Sequence, residues 1–188
     1  DQPRSRGLGD VYKRQDQWGS FCRLGAVVFG RSIMYLGLNT FIVLYFMNHF
    51  HESQNFSNLL LSVYYGIGAL FTLIGGKLGD KHGYRTFVRF GFLLAFPTAL
   101  ILAWTDSSIL GILCLIVLGA ALNLTYSPMV VLGQQYLPNR VGLASGITLG
   151  LAVSVGGITA PLLGKVGDMY GLETTFYVIA LITLIPLI

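Results

Sequence analysis

Three polar side chains recur at intervals of four residues inside an otherwise apolar stretch near the start of the sequence. Arg31, Tyr35 and Asn39 occupy positions i, i+4 and i+8, so on a helix they share one face. A guanidinium inside a membrane segment is energetically costly and by default marks a cavity or a partner. We predict that this face lines the path of a polar substrate. The alternative is that Arg31 extends back to the cytoplasmic interface.

A second polar group lies further along the chain. Asn123, Tyr126 and Ser127 precede Pro128 within another apolar stretch. Proline removes a backbone donor and can bend a helix. We predict that Asn123 and Tyr126 face the same substrate cavity from a gating helix. Plain hydrogen bonding between helices is the alternative interpretation.

The elements that carry these groups have the composition of a membrane protein. The 188 residues are 54% hydrophobic and 11% charged, and the mean hydropathy is +0.68. A soluble domain carries about 25% charged residues. Apolar runs long enough to span a bilayer predict an all-α, polytopic bundle of six transmembrane helices. The runs cover about residues 22–47, 59–78, 87–104, 109–132, 142–163 and 174 onward. The last is still apolar at residue 188, which predicts a chain truncated within that helix.

Basic residues are concentrated on one side of this topology, which by the positive-inside rule is cytoplasmic. They are Arg23, Lys77, Lys81, Arg85, Arg89 and Arg140. The opposite side has only Lys165, near two carboxylates. The formal net charge of +4 is therefore topological, and no basic stripe indicates a nucleic-acid partner. We expect a multi-pass protein in the lipid bilayer of a cell inner membrane.

A short motif occurs twice, after the second helix of each three-helix set. Residues 76–83 read GKLGDKHG and residues 164–171 read GKVGDMYG, on opposite sides of the membrane. This placement predicts two inverted three-helix repeats. We predict a cytoplasmic gating loop in which Asp80 pairs with Arg85, with a counterpart in the second repeat. A solvated polar turn that carries positive-inside charges is the alternative. The predicted loop residues are Gly76, Asp80, Gly83 and Arg85, and their counterparts are Gly164, Asp168 and Gly171.

Other chemistry is not indicated. His49, His51 and His82 lie in connectors, and none has another ligand at metal spacing, so we predict neither a metal site nor a cofactor. The sequence shows no nucleophile elbow, no HExxH motif and no acidic pair at membrane depth. We therefore predict that the protein is not an enzyme. A non-transporting structural or assembly protein of the membrane is the alternative to a transporter.

The loop pattern Gly76-x-x-x-Asp80-x-x-Gly83-x-Arg85 resembles the signature cytoplasmic loop of the major facilitator superfamily. The runs VLGQQYLPNRVGLASG at 131–146 and GGITAPLLG at 156–164 are similar to fosmidomycin-resistance-type transporters. The resemblance implies the C-terminal half of a bacterial, twelve-helix drug or metabolite exporter, an antiporter driven by proton exchange. It also implies a missing N-terminal six-helix half as partner. No carboxylate lies deep in these helices, so a coupling carboxylate would belong to that half.

The first residues differ from the rest of the chain. Residues 1–15 are polar and basic, and DVYKRQ at 10–15 resembles the in-frame translation of a transposon end used in sequencing libraries. We interpret residues 1–15 as a sequencing or gene-model artefact, with a cytoplasmic linker as the alternative. Residues 16–188 then form the six-helix transporter half, a fragment of a longer protein.

Overall fold

A computed structural model of the chain describes residues 15–182 and 184, and the described part is built of helices. The prediction for residues 1–15 falls almost entirely outside this part, as does most of the C-terminal end beyond Ile182. The helices are α1 (Trp18–Asn48), α2 (Gln54–His82), α3 (Tyr84–Trp104), α4 (Ser108–Leu124), α5 (Tyr126–Tyr136), α6 (Val141–Tyr170) and α7 (Leu172–Ile182), with a 3₁₀ turn at Pro138–Arg140 before α6.

Five segments of the described chain are long and apolar enough to cross a membrane, with α4 and α5 together forming the fourth. The sixth apolar segment is represented by α7. The helices are longer than the apolar runs alone predict, because their polar ends continue the helical hydrogen bonding. At 1.5 Å per residue, the 31 residues of α1 extend about 46 Å, beyond a hydrocarbon core of about 30 Å. The all-α, multi-pass prediction is confirmed.

Large apolar side chains cover the outer surface of the bundle. Leu73, Trp104, Ile109 and Val153 are each at least 73% exposed. Soluble monomers rarely expose such extended apolar surface. This surface is the one that lipid tails would contact.

The fourth membrane segment is interrupted near its middle. Helix α4 ends at Leu124, Thr125 is a turn residue, and α5 starts at Tyr126. Pro128 causes the interruption, since it has no N–H to donate to the carbonyl of Leu124 four residues earlier. The predicted bend before Pro128 is therefore present.

The two copies of the repeated motif have the same backbone geometry. Gly83 has φ +91° and Gly171 has φ +89°, values that glycine adopts without the steric penalty of a side chain. Each donates its N–H at 2.9 Å to the carbonyl four residues earlier, Gly79 or Gly167. The predicted apolar runs leave gaps at 79–86 and 164–173, and these gaps are longer than the real connectors, because helix continues up to each glycine and resumes directly after it.

Packing between helices follows the same repeat. The most extensive contacts join α1 to α6 and α2 to α4. Under the repeat, α1 corresponds to α4 with α5, α2 corresponds to α6, and α3 corresponds to α7. The α1–α6 contact and the α2–α4 contact are therefore equivalent. The inverted repeats thus interlock, because the second helix of each packs against the first helix of the other.

Contacts at the two ends of the bundle fix the helix directions. At the basic end, Gln17 N–H donates to the Tyr136 carbonyl at 2.7 Å, so the start of α1 meets the end of α5. There Asp16 also accepts hydrogen bonds from Asn139 and lies 3.7 Å from the Arg140 guanidinium. At the opposite end, Glu52 accepts a 2.5 Å hydrogen bond from the Ser108 hydroxyl.

Candidate functional site

Arg31 lies near the middle of α1. It follows Trp18, the first residue of the helix, by thirteen positions, which places its Cα about 20 Å along the axis. The side chain is only 4% exposed. Arg31 therefore points into the bundle, and the alternative in which it extends back to the cytoplasmic interface is not what the structure shows.

The end of α4 supplies the hydrogen-bond acceptor for this arginine. Arg31 Nε donates to the backbone carbonyl of Leu122 at 3.0 Å. The last four carbonyls of a helix have no donor within it, and Leu122 is among the last four residues of α4. The Thr125 hydroxyl donates to the same oxygen at 2.8 Å. The break before Pro128 thus creates the acceptor that Arg31 uses.

Two tyrosine rings enclose the guanidinium. Its central carbon lies 5.1 Å from the ring centroid of Tyr35, one turn further along α1, and 4.7 Å from that of Tyr126, the first residue of α5. Both distances are within the range of cation–π attraction. The structure therefore brings together three of the five predicted cavity residues: Arg31, Tyr35 and Tyr126.

A third tyrosine, Tyr64 of α2, belongs to this cluster and was not assigned from sequence. Its ring centroid lies 6.3 Å from that of Tyr35. The ring packs against Gly119, where a Cβ would come within 2.9 Å of it. Tyr64 is 1% exposed, whereas the adjacent Tyr65 is 47% exposed. Nothing in the Tyr-Tyr pair itself indicates which ring faces inward.

The cluster contains donors in excess of acceptors. Of the ion pairs found in the described part of the chain, none involves Arg31. The Tyr64 hydroxyl is buried without a hydrogen-bond partner within residues 15–182 and 184. A narrow cleft of about 10 Å³ opens beside Arg31, between Val28, Met129 and Ala152. The site thus presents a cation and hydroxyl groups with no counter-charge from the helices described.

The two predicted asparagines have different surroundings. Asn123 Nδ2 donates to the Gly119 carbonyl of its own helix at 2.8 Å, and its carboxamide fills the space opposite Gly68 of α2. The hydrogen bond lies within α4 and the contact with α2 is packing, so the hydrogen bonding between helices of the alternative interpretation is not found for Asn123 in the described residues. Asn39 is half-buried, and its Oδ1 has no hydrogen-bond partner within the described residues. A cavity role for either asparagine stays a prediction.

The predicted pair between Asp80 and Arg85 is wrong for this structure. The Tyr84 hydroxyl, in the first turn of α3, donates to Asp80. Arg85 instead donates from Nε to the Tyr136 hydroxyl at 2.8 Å, and its guanidinium lies over that ring at 5.2 Å. Tyr84 is closer to Asp80 because only Gly83 separates α2 from α3. The loop therefore ties α3 to α5, and its gating role stays a prediction.

The repeat counterpart is arranged similarly, but Asp168 forms no ion pair within residues 15–182 and 184. Gly164 packs near the ring of Phe41, with a Cβ position 3.5 Å from it, and Asp168 is exposed. Gly76, at the equivalent position in the first repeat, lies next to the Ser127 hydroxyl. In both repeats the first glycine thus admits a neighbouring helix.

His49 links three elements at the end of the bundle opposite the basic residues. Its Nδ1 lies 2.9 Å from a Glu173 carboxylate oxygen and its Nε2 lies 3.0 Å from the Thr105 carbonyl oxygen. The ring stacks on Tyr45 at 4.9 Å. Both polar partners are acceptors when the carboxylate is ionised, so both hydrogen bonds form together only when both ring nitrogens carry hydrogen. No group of side chains suited to a metal ion occurs in the part of the chain that the structure describes.

Comparison with known proteins agrees with this architecture. The family model of the Major Facilitator Superfamily matches residues 24–188. The chain is 32% identical over 152 residues to an uncharacterized MFS-type transporter, YfnC, of Bacillus subtilis (strain 168), covering 80% of this chain and 37% of that protein. It is 30% identical over 163 residues to the fosmidomycin resistance protein of Escherichia coli (strain K12), covering 86% of this chain and 40% of that protein.

Solved structures show the same fold. A crystal structure of the peptide transporter POT in complex with alafosfalin superposes with a TM-score of 0.82 at 18% sequence identity, covering 89% of this chain and 36% of that one. A second structure of POT, in complex with sulfate, gives the same TM-score at 19% identity. The chain thus spans well under half the length of the relatives that it matches.

Proposed function

Because the chain belongs to the Major Facilitator Superfamily, we propose that it forms the C-terminal half of a membrane transporter that exports small molecules by alternating access, coupled to proton movement. The observation that carries this proposal is Arg31, a buried cation near the middle of α1 with no carboxylate partner in the described residues. Intramembrane charges of this kind mark substrate or ion pathways. The cavity would be lined by Arg31, Tyr35 and Tyr126, with Asn39 and Asn123 as further candidates.

The unpartnered faces of the bundle support a second half. Gly142, Gly146 and Gly150 form a row along α6, and a Cβ at any of the three would meet nothing within 4 Å in the described structure. Rows of small residues let membrane helices approach closely. We assign this face of α6 to contact with a preceding six-helix half. The length of the relatives supports the same arrangement.

Residues 16–188 form the proposed transporter half. Asp16 and Gln17 dock onto the α5–α6 connection and so belong to it structurally. The fold of this half can move as one body, since His49 and Tyr136 tie its helices together at opposite ends. Alternating access would then come from rocking this half against the other one.

Proton coupling requires a group that titrates inside the membrane, commonly a carboxylate. Within the described helices the carboxylates lie at helix ends or in connectors. We therefore assign the coupling carboxylate to the other half. The side with Lys77, Lys81, Arg85 and Arg140 is placed in the cytoplasm of a bacterial cell, with the protein in the inner membrane. We propose no enzymatic reaction and no cofactor.

The experiment expresses the full-length gene that contains this chain in Escherichia coli lacking its own fosmidomycin resistance protein. We expect increased fosmidomycin resistance and lower accumulation of the compound, both abolished by collapsing the proton gradient. Arg31→Ala is expected to insert at normal level and to lose efflux. Normal export by Arg31→Ala would contradict the cavity assignment. No export of any compound from a panel of drugs and metabolites would contradict the transporter proposal.

A further inference from the structure

We propose that His49 is a proton-binding site at the end of the bundle opposite the basic residues, and that the bound proton holds the ends of α1, α3 and α7 together. The inference goes beyond the proposed function and does not depend on transport. His49 directly follows α1, and its side chain is only 14% exposed. It belongs neither to the repeated motif nor to the polar face of α1.

The Thr105 carbonyl fixes which ring nitrogen binds the proton. Its oxygen lies 3.0 Å from His49 Nε2 and can only accept, so Nε2 carries a hydrogen in the neutral ring as well. Nδ1 is then the nitrogen that gains and loses the proton, and it lies 2.9 Å from a carboxylate oxygen of Glu173. In the neutral ring two lone pairs face each other there. A proton taken up from water turns this contact into a charge-assisted hydrogen bond.

The charged groups in contact with the ring are acidic. Besides Glu173, Asp106 in the connector between α3 and α4 lies 3.7 Å from Nε2. Tyr45 stacks on the ring at 4.9 Å, and phenols are neutral at physiological pH. The other titratable groups at this end of the bundle are His51, Glu52, Lys165, Asp168, Tyr170 and Tyr177, of which Lys165 and Asp168 are exposed and opposite in charge. Neighbouring carboxylates favour an imidazolium over a neutral imidazole.

The ends of three helices act in the same direction. His49 follows the C-terminus of α1, where the helix dipole favours a cation, and Glu173 lies in the first turn of α7, where the dipole favours an anion. Thr105 follows the C-terminus of α3. One protonated ring therefore joins three helix ends that are far apart in the sequence.

A cavity of about 630 Å³ gives water access to the site. His49 and Glu173 line it together with Asn48, Tyr170 and Gly171. The Glu173 side chain is 60% exposed, so the carboxylate stays hydrated while the ring is largely buried. A proton therefore reaches Nδ1 from solvent without crossing the apolar core. With the basic end in the cytoplasm this solvent is outside the cell, so the three helix ends are joined when the outside is acidic.

The bound proton stabilises the fold in acid. It adds a hydrogen bond to the folded state, so this stabilisation is present at low pH and is lost as the ring deprotonates with rising pH. Imidazole titrates at about pH 6.5 and carboxylic acids at about pH 4. Measurements at pH 5.5 and pH 8 therefore compare the two states of an imidazole while carboxylates stay ionised.

The test follows thermal unfolding of the purified full-length transporter at these two pH values. Relative to His49→Gln, the wild type should gain about 2–4 °C in unfolding temperature between pH 8 and pH 5.5, as expected for one hydrogen bond to a charged group. Hydrogen exchange gives a local readout. The amides of residues 105–111 and 172–175, corrected for the intrinsic effect of pH, should exchange about tenfold more slowly at pH 5.5 in the wild type but not in His49→Gln.

Glu173→Gln separates a proton site from simple packing. A carboxamide can donate to Nδ1 of the neutral ring, so the helix ends should stay joined at both pH values and the pH dependence should disappear. His51→Gln, at an exposed position in the same connector, and His82→Gln, at the other end of the bundle, should keep the wild-type pH dependence. If His49→Gln fails to fold, Glu173→Gln still tests the site, because that side chain is mostly exposed.

Three outcomes would overturn the inference. They are wild-type pH dependence in His49→Gln, unchanged pH dependence in Glu173→Gln, and exchange of residues 172–175 that is no slower in acid than at pH 8. Because none of these measurements involves transport, each outcome leaves the proposed function standing.

Discussion

Arg31 Nε donates a 3.0 Å hydrogen bond to the backbone carbonyl of Leu122, across the interface between the two repeats. The donor lies in the first helix of the first repeat, and the acceptor lies at the end of α4 in the first helix of the second. The hydrogen bond therefore joins the first helices of the two repeats, from a side chain of one to a backbone group of the other.

Replacing Pro128 with alanine should remove this acceptor. Alanine restores an N–H that can bond the Leu124 carbonyl, so α4 and α5 can fuse and Leu122 can regain a helical donor. We expect unfolding stability to be kept or raised and transport to fall, because Arg31 loses its anchor. Uptake into proteoliposomes and thermal unfolding measure the two effects.

Pro161→Ala is the matched control for that change. Pro161 lies inside α6, which continues through it without a break, and it is exposed. Its replacement should leave transport near the wild-type level. Equal losses of transport in both variants would show that the break at Thr125 has no special role.

Gly75 and Gly66 on α2 offer a test of helix packing. A Cβ at Gly75 would collide with the backbone carbonyl of Leu124, whereas a Cβ at Gly66 would meet nothing within 4 Å. Backbone cannot yield as a flexible side chain can, so Gly75→Ala should destabilise the bundle by about 1–3 kcal/mol. Gly66→Ala should be neutral or stabilising by up to about 1 kcal/mol. Equal stability of the two variants in reversible unfolding would argue against this packing.

The repeat predicts that substitution of either turn glycine reduces the stability of the protein by the same amount. Gly83→Ala and Gly171→Ala each force a side chain into φ near +90°, which costs on the order of 1–3 kcal/mol. The thermal unfolding temperature should therefore fall by similar amounts in both variants. A loss confined to Gly83→Ala would indicate that the conformation of the second turn is not required.

His49 should contribute to stability through its two hydrogen bonds. His49→Phe keeps an aromatic ring to stack on Tyr45 but releases both Glu173 and Thr105. We expect a loss of about 1–3 kcal/mol, since the carbonyl and the carboxylate lose a partner. His51→Phe, at an exposed position in the same connector, is the control. An equal effect of both changes would refute a specific role for the His49 contacts.

Much of the architecture could be predicted because it depends on local rules. Apolar runs, basic loops and the recurring glycines specify spanning helices, their direction and the position of the repeats. Arg31 and Tyr35 share a face because residues four apart on any α-helix do so. The bend before Pro128 follows from a missing N–H. The connectors were predicted too long, since polar helix ends and loops look alike in composition.

The sequence by itself determined the helices and the inverted repeat, because each follows from the chemistry of neighbouring residues along one chain segment. Only the tertiary structure decided that Tyr64 rather than Tyr65 is buried beside Tyr35, that Leu122 accepts the Arg31 hydrogen bond, and that Arg85 contacts Tyr136 and not Asp80. These partners lie on different helices, and their meeting depends on how helix surfaces interlock. The rotation of one helix against another is set by packing over the whole bundle, which no local pattern encodes.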